Sequence, residues 1–166
     1  MKTNLQNKKI NIVTLGCSKN VVDSEKLMSR IKAGGYEIVH DSGDLTASTA
    51  IINTCGFIND AKEESIDTIL RFVKARQSGR IRNLYVMGCL SERYINALKA
   101  EIPEVNRYFG VNDINEILKE IGITPGKEIS LNRMITGPGH YAYLKVSEGC
   151  DRSCAFCSIP LIRGKC

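Results

Sequence analysis

Residues 9–35, KINIVTLGCSKNVVDSEKLMSRIKAGG, open on an apolar run, pass through a Gly-Cys pair and continue into helix-compatible residues that stop at Gly34-Gly35. A short run rich in Ile and Val ahead of a turn predicts a buried strand at 9–15. The segment behind it predicts a helix ended by glycine. The same theme returns in TAIINTCGF at 49–57. Asp60 and Glu63 then have the spacing of a capping box, and Ile66, Ile69, Leu70 and Val73 recur at helical intervals, so a long amphipathic helix is predicted. LYVMG at 84–88 predicts another strand leading into Cys89, followed by a helix marked by Ile95, Leu98 and Ile102 and ending near Pro103. VNRYFGV at 105–111 predicts a last strand. Asp113 with Glu116 offers a second capping box, with Ile114, Ile117, Leu118 and Ile121 as the stripe behind it.

Strands alternating with helices at this spacing imply right-handed βαβ crossovers, so residues 1–122 read as one α/β domain built on a mainly parallel sheet flanked by helices. Residues 123–140 hold two of the four prolines and three glycines without a sustained period, which predicts a linker. YAYLKVSEGC restarts with strand-like alternation at 141. The 141–166 stretch is too short for a core of its own.

Composition narrows the function classes. Of 166 residues, 43% are hydrophobic and 25% charged, which excludes a disordered tail, a collagen-like chain and a disulfide miniprotein. No apolar run approaches the roughly 18 residues of a membrane span, and MKTNLQNKKINIV lacks the apolar stretch of a signal peptide, so a cytoplasmic location is expected. The net charge of +5 suits an RNA-rich or otherwise acidic partner. Trp is absent, and an aromatic platform for stacking bases is not indicated. Seven cysteines in a reducing compartment point to metal binding or catalysis before disulfides.

The cysteines form two groups. Cys150, Cys154 and Cys157 make a C-x-x-x-C-x-x-C set that one loop can bring around a single centre. Three thiolates fit a [4Fe–4S] cluster with one open iron, whereas structural zinc usually takes four ligands; a zinc loop stays the alternative. Cys17, Cys55 and Cys89 are distant in sequence, yet each follows an apolar strand, in LGC, NTC and MGC. In a parallel sheet such positions converge on the carboxyl edge, where open α/β sheets bind ligands, and a following helix stabilises a thiolate by its dipole. Against this, a cysteine after a strand is commonly a small core hydrophobe. Cys166 matches neither group, and His40 and His140 are read as surface or loop histidines. The basic run from Arg71 to Arg82, containing Lys74, Arg76 and Arg80, reads as a solvated helix end or an RNA contact.

EGCDRSCAFCSIPLIRGK at 148–165 and the cysteines at 17, 55 and 89 together resemble the radical S-adenosylmethionine methylthiotransferase family along the whole chain. LGCSKNVVDSE looks like the branch that modifies a ribosomal protein; the tRNA-modifying branch typically carries Gln-Met-Asn in place of Ser18-Lys19-Asn20. Ser18 departs from the ribosomal branch, which often has Pro there. The resemblance implies that Cys150, Cys154 and Cys157 hold a cluster that binds S-adenosylmethionine, with Phe156 at the position lying by the adenine. It implies an auxiliary cluster on Cys17, Cys55 and Cys89 that supplies a methylthio group to the β-carbon of an aspartate in small-subunit ribosomal protein twelve. An electron-donor protein, with the ribosome itself, is the implied partner. Family members continue through a partial (β/α) barrel, so 141–166 would be its first strand and cluster loop, and a chain ending at Cys166 is expected to be an inactive or partial fragment. Modification of a tRNA adenosine, or a non-enzymatic zinc-binding module, are the alternative functions.

Overall fold

The computed structural model describes residues 8–43, 45, 47–124, 132–152 and 154–166. The first seven residues, Ser153 and the 125–131 part of the predicted linker lie outside the described residues. In chain order the elements are β1 (Lys9–Thr14), α1 (Ser18–Ala33), β2 (Glu37–His40), β3 (Thr49–Thr54), α2 (Asn59–Gln77), β4 (Asn83–Gly88), α3 (Cys89–Glu101), β5 (Arg107–Tyr108), α4 (Ile114–Glu120) and α5 (Ile159–Arg163). The strands form one sheet in the order β2-β1-β3-β4-β5, and every pairing is parallel.

Because the chain runs outward from β1 in one direction and from β3 in the other, right-handed crossovers place the connecting helices on opposite faces. Side-chain alternation agrees. Ile10, Ile12, Ile51, Tyr85 and Met87 pack with Leu27, Met28 and Ile31 of α1 and with Ile117 and Leu118 of α4. Val13, Ala50, Ile52, Leu84 and Val86 pack with Ile69, Phe72 and Val73 of α2 and Leu98 of α3. Covered on both sides, β3 is buried at all six positions, as a central parallel strand must be.

Several expectations need correction. The sequence reading passed over β2, a four-residue edge strand that is only half-buried. Neither capping box forms. The N-cap of α2 is Ile58, which leaves Asp60 inside the first turn. The N-cap of α4 is Asp113, whose carboxylate instead accepts the Gly110 N–H at 2.7 Å. In α2, Leu70 faces outward and Phe72 fills the core in its place. The last predicted strand shrinks to two residues. Residues 141–150 form no strand, and the short α5 was not foreseen. Among the described residues no helix is long and apolar enough to cross a membrane.

Candidate metal centres at the carboxyl edge

All five strands point the same way, so the chain leaves β1, β3 and β4 from one edge, and each exit leads to a predicted ligand within three residues. Cys17 is the N-cap of α1, Cys55 follows β3 directly, and Cys89 is the first residue of α3. Cys17 is exposed, while Cys55 and Cys89 are buried.

A glycine beside each cysteine lets the loops close on one another. A β-carbon at Gly16 would stand 2.4 Å from Cys55 Cβ and 2.8 Å from its Sγ. One at Gly56 would meet Leu90 Cα at 2.7 Å, and one at Gly88 would meet Asn53 Oδ1 at 2.4 Å. Side-chain ties fix the loops further. Ser65 Oγ both accepts the Cys55 N–H and donates to the Cys55 carbonyl, each at 3.1 Å. The fully buried Asn20 donates to the carbonyls of Leu15 at 2.7 Å and Thr54 at 3.1 Å, joining the ends of β1 and β3.

Burial pushes the Cys89 thiol up; the Arg163 guanidinium pulls it back in part, and the nearby Cys55 and Cys17 thiols push it up further.

The second trio lies on the loop between residue 149 and α5. Cys150 and Cys157 are half-buried and Cys154 is exposed. The loop is pinched at its base: the Cys150 N–H donates to the Gly164 carbonyl at 3.1 Å, and a β-carbon at Gly149 would lie 1.9 Å from that oxygen. Inside it, the Cys157 N–H donates to the Cys154 carbonyl at 3.1 Å. Phe156 is 92% exposed.

The two regions meet. Ile162 of α5 packs with Cys89 and Val111. Arg163, only 3% exposed, donates to Asn20 Oδ1 at 2.7 Å, Asp23 Oδ2 at 3.0 Å and Cys89 Sγ at 3.4 Å, and also pairs with Glu148. Lys145 bonds both Asp23 and Glu148. Burial opposes the Arg163 charge, but Cys89, Glu148 and Asp23 around it outweigh that and raise its pKa. Burial likewise opposes the Glu148 charge, and the bonds from Lys145 and Arg163 reverse the balance, lowering its pKa.

Among the described residues, no three Cys, His, Asp or Glu side chains gather tightly enough to hold one metal ion. A four-iron cube takes each thiolate on a different iron and so asks for a wider triangle than a tetrahedral ion with bonds near ~2.3 Å. Three thiols on loops brought together by glycines, beside a buried cation, have the donor chemistry for such a cluster. His40 bonds Thr14 Oγ1 and Asp41, and His140 meets the Tyr141 ring edge to face. In the basic run Arg71, Lys74, Arg80 and Arg82 are exposed, whereas Arg76 bonds the Glu104 carbonyl.

Asn20, Asp23, Lys145, Glu148 and Arg163 were missed as site residues. A signal for two of them, Asn20 and Asp23, existed. Asn20, Asp23 and Ser24 begin the stripe that Leu27, Met28 and Ile31 continue at helical spacing, so the core-facing side of α1 starts polar. A polar start to a buried stripe marks a buried polar site.

Residues 9–110 match the family described as Uncharacterized protein family UPF0004. Among curated proteins, the chain is 54% identical over 156 residues to "Ribosomal protein uS12 methylthiotransferase RimO" of Phocaeicola vulgatus, covering 94% of this chain and 36% of that protein. Proteins of the same name from Bacteroides thetaiotaomicron and Cytophaga hutchinsonii are each 50% identical, over 97% and 96% of this chain and 37% of theirs. The chain thus spans a little over a third of the length of these relatives.

Proposed function

The chain belongs to the UPF0004 family, and from that premise we propose that it supplies both cluster-binding regions of a radical S-adenosylmethionine methylthiotransferase acting on an aspartate of ribosomal protein uS12. In this reading residues 1–122 are the methylthiotransferase α/β domain, 123–140 the linker and 141–166 the opening of the radical domain. Cys17, Cys55 and Cys89 would hold one [4Fe–4S] cluster and Cys150, Cys154 and Cys157 the other, with S-adenosylmethionine at the second, beside Phe156. The ribosome and an electron-donor protein are the proposed partners, and the cytoplasm the proposed location. The observation that carries the reading is the meeting of three glycine-flanked cysteine loops on the edge to which the second cysteine loop is also attached.

Together the bound groups would supply one-electron chemistry and a transferable methylthio sulfur. This chain's residues set the conditions. Cys17 caps α1 and Cys89 opens α3, Asn20 ties the ends of β1 and β3 together, and Ser65 holds the backbone of Cys55. The Arg163 guanidinium balances negative charge that would otherwise be buried at Cys89.

Anaerobic reconstitution is expected to load about eight irons per chain, and replacing either cysteine trio by alanine to remove about half of them. Mass spectrometry of uS12 from cells lacking the protein is expected to show loss of the methylthio group. An iron content untouched by Cys17→Ala, Cys55→Ala and Cys89→Ala together overturns the first cluster; loss of a methylthio group from tRNA adenosine, with uS12 unchanged, overturns the substrate.

A further inference from the structure

Outside the cysteines, a buried cluster of two cations and two carboxylates is assembled from three segments. Asp23 comes from the second turn of α1, Lys145 and Glu148 from the stretch before Cys150, and Arg163 from the last turn of α5. The Lys145, Arg163 and Asp23 side chains are each less than a tenth exposed, and Glu148 is about a third exposed at 31%. Lys19 adds a bond from its Nζ to the Glu148 carbonyl at 2.9 Å.

Charges so deep are tolerated only when each is paired and its remaining hydrogen-bonding capacity is met. Arg163 meets that condition in an informative way. One guanidinium nitrogen takes the carboxylates of Asp23 and Glu148, and the other takes Asn20 Oδ1 and Cys89 Sγ. The planar fork therefore joins the segment that carries one cysteine trio to a sulfur of the other. A Lys could not span this arrangement, because its three donors radiate from a single nitrogen.

We propose that Arg163 is a positioning residue that clamps the Cys150–Cys157 loop onto the carboxyl edge and donates a hydrogen bond to the Cys89 sulfur, fixing the separation of the two centres and raising the reduction potential of the first. The clamp itself rests on contacts of the metal-free chain. The effect on potential rests on the function proposed above, with a cluster on Cys17, Cys55 and Cys89. Hydrogen bonds and positive charge next to a ligand sulfur stabilise the more negative, reduced state, so their removal lowers the potential.

Two measurements on the full chain test it. In the metal-free protein, hydrogen–deuterium exchange of amides in 145–163 is expected to speed up by about a hundredfold in Arg163→Met and in the isosteric Asp23→Asn, with β3 amides unchanged, since each strips one side of a buried ion pair. Arg163→Lys is expected to recover only part of the protection. Unchanged exchange at 145–163 in both variants overturns the clamp, and Asp23→Asn keeps this test available if Arg163→Met does not fold. In the iron-loaded protein, Arg163→Met is expected to keep its iron while the potential of the cluster on Cys17, Cys55 and Cys89 falls, and Arg163→Lys to restore part of the shift. Full iron with an unshifted potential overturns the role at Cys89. Iron absent from that trio in the unaltered protein overturns the proposed function, and the exchange data still decide the clamp.

Discussion

At the glycines beside Cys17, Cys55 and Cys89, the atom that is missing decides how closely the loops approach. At Gly16 and Gly88 the backbone has φ of 90° and 101°, and a β-carbon would overlap Cys55 and Asn53. Gly16→Ala and Gly88→Ala are each expected to lower stability by about 2–4 kcal/mol in thermal unfolding under reducing conditions, combining backbone strain with steric overlap. Gly137→Ala, where nothing lies within 4 Å of the new carbon, is the control and is expected to stay within about 0.5 kcal/mol. The glycine next to each of three cysteines was on view in LGC, TCG and MGC, but its meaning was not. Close approach between loops is a property of the folded edge and not of any one loop.

Tyr108 shows how burial sets a pH limit. Burial, then the nearby Glu104, raises its phenol above the ordinary 10.0, and its hydroxyl donates to the Ile102 carbonyl at 2.8 Å. A group whose pKa is raised on folding contributes stability that is complete below its unfolded value and is lost as pH rises through the folded one. The melting temperature is therefore expected to decline above pH 10. In Tyr108→Phe the decline is expected to be shallower, at a cost of about 1 kcal/mol near neutral pH from the lost hydrogen bond.

At the scale of elements, legibility followed burial. TAIINT and LYVMG could be read because a central parallel strand is covered on both faces and so shows a continuous apolar run. The edge strand EIVH shows none, because half of its surface meets solvent. The misreading of YAYLKV has a related cause. Alternation signals a strand only where a neighbouring strand and a core take up the two faces, and here Leu144 and Val146 are 83% and 86% exposed. In α2 the stripe holds at Ile66, Ile69 and Val73, but Phe72 faces the sheet while Leu70 is 40% exposed. Phe72→Ala is accordingly expected to cost about 3–5 kcal/mol in denaturant unfolding and Leu70→Ala under about 1 kcal/mol.

For the whole molecule, the parallel sheet made the first cysteine trio legible, since every strand of such a sheet delivers its next loop to the same end. The attachment of the second trio was not legible. It depends on pairs such as Asp23 with Arg163, separated by 140 positions, which no local pattern encodes.

The stretch at 133–136 is held in the same manner: Arg133 pairs with the buried Glu25 at 2.9 Å, and Thr136 donates to the same carboxylate through both its N–H and its hydroxyl. Arg133, Thr136, Lys145, Glu148 and Arg163 thus moor the later part of the chain to α1 by contacts that owe nothing to the peptide link behind them. A folded chain cut once between residues 124 and 132 is expected to travel as a single species in size-exclusion chromatography at low salt and to part into two polypeptides in acid. In such a nicked protein, complementation between the pieces would do what covalent continuity does in the intact one.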